Sequence, residues 1–461
     1  MPESNLQKKI KQQLIQILGD EFVKSEQADI WSYGFDNSRR HALADFVVLP
    51  ETAEQIAEIV TLCNQHNIPL IARGKGTGTT GATVPTKGGI ILSTERMNKI
   101  ISVNPDDRYI VAQPGVTNEE IQIAAGEHGF FWPPDPTSAA FCTIGGNLAY
   151  NSAGPRAVKY GTPRENTLGL EAITGSGEKL RCGVYTTKGV VGYDLTRLLI
   201  GSEGTLAIIT EATLKLTPLA ESKNTIKAIY QSIDAATKAV ANIMAQSTTP
   251  CALEFMDKNA LDMVREYSDA NLPEKAGAML MLEVDGKTEH LEQMTNDIKQ
   301  AASNDGLLEF SVAQTKDEIK NLWATRKALS PSLRHVAPKK INEDVVVPVS
   351  NIPALIKGLG SISEKHRIPI INFGHAGNGN IHVNLLVQDK DKQAYDCLDE
   401  VFKLVLSLNG TLSGEHGVGI DKLEFISNEL DANALSLMQS IKQVFDPKGI
   451  LNPGKTIPSS D

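Results

Sequence analysis

Two histidines, a glutamate and a spare histidine stand in two glycine-rich stretches of this 461-residue chain. The first is Asn372-Phe373-Gly374-His375-Ala376-Gly377-Asn378-Gly379-Asn380-Ile381-His382-Val383-Asn384, and the second is Ser413-Gly414-Glu415-His416-Gly417-Val418-Gly419. Imidazole and carboxylate suit zinc, iron or manganese, and three protein ligands leave a position open for substrate. His375, His382 and Glu415 are the candidate ligands, which leaves His416 as a base. Residues 381–386 read as a strand, so His382 and Asn384 point to the same face. His375 lies across a glycine bend that can fold it back toward them. Histidines in a loop are more often hydrogen-bonded surface residues than ligands. The second glycine-flanked Glu-His pair is what makes a divalent-metal site the better reading.

The elements that must position these groups begin with a βαβ-like opening. Residues 45–49 form a short apolar strand, Thr52 caps a helix whose apolar face is Ile56, Ile59, Val60 and Cys63, and residues 69–72 form a second strand. It runs into Arg73-Gly74-Lys75-Gly76-Thr77-Gly78-Thr79-Thr80-Gly81. Gly76, Gly78 and Gly81 match the spacing of a dinucleotide-binding fingerprint, but that fingerprint needs a helix to open at the glycines. Pro85, Gly88 and Gly89 follow at once and residues 89–93 read as a strand, so the reading fails; the missing GK[ST] ending excludes a P-loop. What remains is a loop whose bare N–H groups can cradle a diphosphate. A strand over 109–113 and a helix from Asn118 to about Glu127 come next, then a proline-rich stretch at 133–138. Two further small-residue patches, around Thr143–Gly154 and Gly201–Gly204, let backbone approach a flat ligand.

Past about residue 219 the glycine clusters vanish until Gly374, and strands such as 278–284 alternate with helices such as 233–245. That texture reads as a separate α+β domain on an antiparallel sheet. Arg326 sits within it on a predicted helix, where residue type alone assigns it to a solvated face, and Lys339-Lys340 precede a strand over 345–347. The tail from Phe445 to Lys455 is a helix end followed by two turns.

Composition sets the outer limits. Apolar content of 41% and charged content of 22% are those of a soluble globular protein, and a net charge of -10 argues against a nucleic-acid partner. Five scattered cysteines without a CxxC pair favour a reducing compartment and exclude a cysteine-built zinc site. No apolar run reaches membrane-spanning length, and no signal-peptide core opens the chain. Leu6, Ile10, Leu14, Ile17 and Leu18 recur at helical spacing, as in an amphipathic helix packed on its own domain. The expected location is cytoplasmic; peripheral contact with an inner membrane and a homodimer are both compatible with this composition.

Three glycine patches, Gly-His-x6-His-x-Asn, Gly-Glu-His-Gly and the ending Leu451-Asn452-Pro453-Gly454-Lys455 occur together and in order. The combination resembles the FAD-linked oxidases of the vanillyl-alcohol oxidase/p-cresol methylhydroxylase superfamily, in particular bacterial D-lactate dehydrogenases, glycolate oxidase flavoprotein subunits and D-2-hydroxyglutarate dehydrogenases. The resemblance implies an α+β fold: a two-part FAD-binding domain (1–219 and 413–461) with an antiparallel-sheet cap (220–412). It implies that Arg73 to Gly81 hold the FAD diphosphate. Pro134, Asp135, Thr137, Gly145, Gly146 and Asn147 would line the flavin, Gly204 and Ile209 would lie on the adenine-ribose side, and Asn452 would approach from the tail. Thr77 and Gly78 stand where some members carry a flavin-tethering histidine, so non-covalent FAD is implied. In the metal-dependent branch His375, His382 and Glu415 bind the metal, zinc foremost and manganese or iron otherwise. Asn384 then lies beside the substrate, His416 is the base, Arg326 binds the carboxylate and Lys340 is its partner. The implied reaction is oxidation of a D-2-hydroxy acid, D-lactate first, with D-2-hydroxyglutarate or glycolate as alternatives. His416 takes the hydroxyl proton and the Cα hydride goes to flavin N5. An external quinone, cytochrome or electron-transfer flavoprotein receives the electrons, because the chain has no cluster or haem motif.

Overall fold

The structure, a computed structural model, describes residues 5–267, 273–389 and 392–458. The chain divides into two compact units, one of Met1–Ala153, Gly161–Leu219 and Glu415–Asp461, the other of Gly154–Tyr160 and Ala220–Gly414. The sequence held no sign that residues 154–160 group with the second unit.

In the first unit a four-stranded sheet runs Val23–Lys24, Phe46–Val48, Ile90–Ser93, Leu70–Arg73, with Ile90–Ser93 parallel to both neighbours. Helix Ala53–His66 connects the two outer parallel strands. Thr52 caps it by accepting the Gln55 N–H, and Asn67 ends it in the left-handed region. Its buried Ile56, Ile59, Val60 and Cys63 share a core with Ile10, Leu14 and Leu18 of helix Asn5–Leu18, so the N-terminal amphipathic face is spent on its own unit. A five-stranded antiparallel sheet follows, in the order Ile100–Asn104, Tyr109–Ala112, Ala207–Lys215, Thr167–Thr174, Lys179–Gly183. Its core surrounds Trp132, whose indole N–H donates to the Asn166 carbonyl at 2.9 Å. Between Arg73 and Ile90 there is no helix. The small-residue patch at Thr143 opens helix Ile144–Tyr150, with Thr143 accepting the Gly146 N–H.

The C-terminal segment joins this unit through backbone pairing. Leu70 donates to Ile450 at 2.8 Å and accepts from Asn452 at 2.9 Å. Glu203, held at φ 51°, ties the same segment from the other side. Its carboxylate accepts the N–H groups of Val418 (2.6 Å) and Gly419 (2.8 Å) and the Thr456 hydroxyl (3.0 Å), while its carbonyl accepts from Asn452 Nδ2 at 2.7 Å.

The second unit is built on seven antiparallel strands: Leu307–Val312, Ser222–Tyr230, Ala278–Gly286, Ala252–Asp257, Ile370–His375, Asn380–Val387, Lys339–Val346. Lys339 and Lys340 therefore begin the last strand, where the sequence places them before it. Helices Lys258–Tyr267 and Lys316–Val336 bury Leu261, Val264, Leu329 and Leu333 against Met256, Met279, Met281, Ile371 and Phe373. No described helix is long and apolar enough to cross a membrane.

Two outcomes follow for the first unit. Glu203→Ala would leave the Val418 and Gly419 N–H groups without their acceptor, at about 1–3 kcal/mol for the buried donor; a lower urea midpoint and faster proteolysis near residues 413–420 are expected, and the absence of both changes would refute the tie. Lys455 is 3% exposed, and burial pulls its ammonium down from 10.5 to about 8 against the opposing pull of Asp36 and Glu203. The fold thus favours the neutral amine, and this group's contribution to stability is present above pH 10.5 and lost as pH falls through 8. Lys455→Met should be more stable than the parent at pH 7, with the gap closing toward pH 10 in paired urea titrations of the FAD-free chain; a pH-independent gap would contradict this.

Candidate active site

The first unit contains a cavity lined by small residues, among them Ala72, Gly74, Ala82, Gly145, Gly146, Gly204 and Ala207, with Arg73, Tyr150, Glu203 and Ile209 also on its wall. Along one side runs the glycine loop. None of the N–H groups from Lys75 to Thr80 donates to a protein acceptor among the described residues, whereas Thr77 O and Gly78 O accept from Asn37 and Thr80 O accepts from Ile420. Carbonyls fastened outward and amides left without acceptors make an anion cradle. Arg73 supports the loop from below: its Nη1 donates to Phe35 O at 2.7 Å and to Thr83 at 3.3 Å. A Cβ on Gly76 would meet Arg73 Nη2 at 2.3 Å. Lys75 pairs with Glu95 at 3.4 Å.

Of the residues expected around the flavin, Arg73, Gly74, Gly145, Gly146, Gly204 and Ile209 reach the cavity wall. Asn147 is spent within the protein, accepting from Asn118 at 3.1 Å and donating to Cys142 Sγ at 3.3 Å. The Pro134 carbonyl accepts from Asn118, the Asp135 N–H donates to Ala153, and Asn452 accepts from Lys455 at 2.7 Å. Pro134, Asp135, Thr137, Asn147 and Asn452 are thus not on the wall that the cavity presents. Tyr150 and Glu203, which the sequence reading passed over, are.

In the second unit the strand register assembles a polar row. His375 stands opposite Glu254 on one side and Asn380 on the other, Phe373 opposite His382, and Ile371 opposite Asn384. The rings of His375 and His382 lie 5.3 Å apart, edge to face. His375 Nδ1 is 2.5 Å from Glu254 Oε1, and Arg326 Nε donates to Glu254 Oε2 at 2.6 Å. The Arg326 guanidinium lies over Phe373, 4.9 Å from the ring centre, with its side chain only 12% exposed. This corrects the solvated helix face that residue type suggested: a carboxylate on the sheet draws Arg326 inward. Burial pushes the Glu254 carboxyl up, but His375 and Arg326 outweigh it and hold the group at about 2. Asn384 donates to the carbonyls of Ile371 and His382, and its Oδ1 is buried without a protein partner among the described residues. Lys340 lies half-buried on the outermost strand, opposite Leu386.

Glu415 is the first residue beyond this unit, one peptide bond from Gly414, whose N–H is held by Asp344 Oδ2 at 3.0 Å and whose neighbour Ser413 donates to Asp344 Oδ1 at 3.1 Å. His375 and His382 offer an imidazole pair to a divalent ion, and the Nδ1 contact of His375 with Glu254 leaves Nε2 for it. His416 follows, its carbonyl accepting from Thr80 at 3.3 Å.

The cradle carries its own test. Gly74 lines the cavity, and a Cβ there would meet Thr143 Oγ1, the cap of helix Ile144–Tyr150, at 2.4 Å. Gly74→Ala should weaken FAD at least about tenfold, close to 1.4 kcal/mol, in a flavin-fluorescence titration of FAD-free protein; undiminished affinity would count against the cradle.

Residues 219–456 match the C-terminal domain of the FAD linked oxidases, and residues 44–183 match an FAD binding domain. The chain is 38% identical to glycolate oxidase subunit GlcD of Bacillus subtilis over 97% of its own length and 96% of the relative's. It is 36% identical to a D-lactate dehydrogenase of Archaeoglobus fulgidus (92% and 95%) and 32% identical to a D-2-hydroxyglutarate dehydrogenase of Stutzerimonas stutzeri (94% and 95%). Among solved structures, p-cresol methylhydroxylase with substrate bound superposes with a TM-score of 0.79 at 17% identity, covering 98% of this chain and 97% of that one. The fold is therefore the α+β fold of the p-cresol methylhydroxylase type, and the chain belongs to the FAD-linked oxidase family of flavin-dependent oxidoreductases.

Proposed function

We propose that this protein oxidises a D-2-hydroxy acid, D-lactate foremost, and passes the electrons to an external quinone, cytochrome or electron-transfer flavoprotein. The observation that carries the reading is the row His382–His375–Glu254–Arg326, which sets an imidazole pair and a guanidinium on either side of one carboxylate. A 2-hydroxy acid presents a hydroxyl and a carboxylate on adjacent carbons, the two groups such a row would receive. The printed names of the relatives span lactate, glycolate and hydroxyglutarate, all 2-hydroxy acids.

When bound in the first unit, FAD supplies a two-electron acceptor, held without a covalent tether. His375, His382 and Glu415 would hold a divalent ion, zinc foremost with manganese or iron as alternatives, whose contribution is Lewis acidity toward the hydroxyl. Arg326 fixes the carboxylate with its terminal nitrogens, since Nε is given to Glu254. Asn384 Oδ1 offers a buried acceptor on the same face. His416 takes the hydroxyl proton at its imidazole, and Lys340 assists the clamp. D-2-hydroxyglutarate would need a further cation for its distal carboxylate, and glycolate would make the chain one subunit of a larger oxidase. We place the protein in the cytoplasm, with peripheral membrane contact where the acceptor is a quinone.

Anaerobic addition of D-lactate to the FAD-loaded protein should bleach the flavin absorbance, and L-lactate should not. Bleaching by glycolate or D-2-hydroxyglutarate alone would reassign the acid, and bleaching by none would refute the class. His416→Ala should lower turnover about 10²-fold or more with the flavin spectrum intact. Full activity in protein stripped of divalent metal would overturn the ligand set.

A further inference from the structure

We infer that Glu254 is a positioning residue that couples the cation site to the carboxylate clamp, an inference that rests on the function proposed above. Glu254 lies mid-strand in Ala252–Asp257, directly opposite His375, and is 1% exposed. Each of its two oxygens has a separate task. Oε1 holds His375 Nδ1 at 2.5 Å, which would leave Nε2 to hold an ion, and Oε2 holds Arg326 Nε at 2.6 Å, which would leave the terminal nitrogens to bind a carboxylate.

A role in docking the helix does not explain this carboxylate. Helix Lys316–Val336 is already fastened one turn away, where the Trp323 indole N–H donates to Glu283 at 2.9 Å, and further along by buried Leu329 and Leu333. Glu283 is in turn held by Lys223 Nζ and the Thr225 hydroxyl. A buried ion pair is a poor source of stability compared with apolar packing, and apolar packing is at hand in Met256, Met281 and Phe373. What the carboxylate does supply is a fixed relation between His375 and Arg326, which lie on different elements and each meet one of its oxygens. Rotation of the carboxylate at either oxygen moves both, so the ion and the acid should strengthen each other's binding by the same factor.

The test uses FAD-loaded protein, Mn(II) as the ion and oxalate as an acid that cannot be oxidised. In the parent protein, oxalate should tighten Mn(II) binding about tenfold, read by electron paramagnetic resonance of free Mn(II). Glu254→Gln should weaken Mn(II) by about 10–100-fold, abolish the tightening, and raise KM for the acid; Glu254→Asp should restore part of each. Arg326→Gln provides a second variant that leaves Glu254 in place: it should lose the oxalate effect and weaken Mn(II) alone only a few-fold. Equal Mn(II) affinity in Glu254→Gln and parent, or a tightening that survives in Glu254→Gln, would overturn the inference and leave the proposed reaction standing. A parent protein that binds no Mn(II) would overturn the inference, while the bleaching of the flavin by the acid tests the proposed reaction separately.

Discussion

A carboxylate removed from water must have its charge answered by donors, and this chain places such carboxylates where its long-range geometry has to be held. Glu203 collects two backbone amides and a hydroxyl from a segment more than 200 residues away in sequence. Glu254 collects an imidazole and a guanidinium across 121 and 72 residues, and Asp344 holds Ser413 and Gly414 across 69 and 70. The desolvation of each is costly unless every lone pair is met. That requirement makes the contacts specific: a shift of an ångström leaves a buried charge unanswered, where an apolar contact would merely loosen.

The glycine loop shows the opposite condition. Among the described residues its amides from Lys75 to Thr80 meet no protein acceptor, while the carbonyls of Thr77, Gly78 and Thr80 are held by Asn37 and Ile420, a pattern suited to an anion. Small residues around it are a matter of distance as much as of backbone freedom. At Gly74, Gly76 and Gly145 a single added carbon would fall within 3 Å of Thr143, Arg73 or Pro114.

Local signals were legible in the sequence and distant ones were not. Pro85, Gly88 and Gly89 rule out a helix after the glycine loop, and alternation along 381–386 puts His382 and Asn384 on one face; both rest on neighbours within a few residues. The resemblance supplied Arg326 but no reason for it to leave solvent. The reason is Glu254, a lone glutamate in an apolar strand, which strand register sets opposite His375 and helix packing brings to Arg326. Asn147 depends on contacts at intermediate range: it sits in a glycine patch, and its amide meets Asn118, which opens helix Asn118–Gly126, and Cys142. The helix Ile144–Tyr150 was hidden because Gly145 and Gly146 disguise a threonine-capped first turn.

The pairing of Leu70 with Ile450 and Asn452 bears on the order of events at the ribosome. The strand that leads into the glycine loop is synthesised early, but the residues that flank it emerge only after the whole second unit has been made. Until then the edge of that strand and the underside of Glu203 lack their partners. The second unit, continuous but for residues 154–160, has no such wait and can close first. The pairing of that strand is thus deferred to the last stage of synthesis, and a chain truncated before residue 450 would leave Leu70 without these partners.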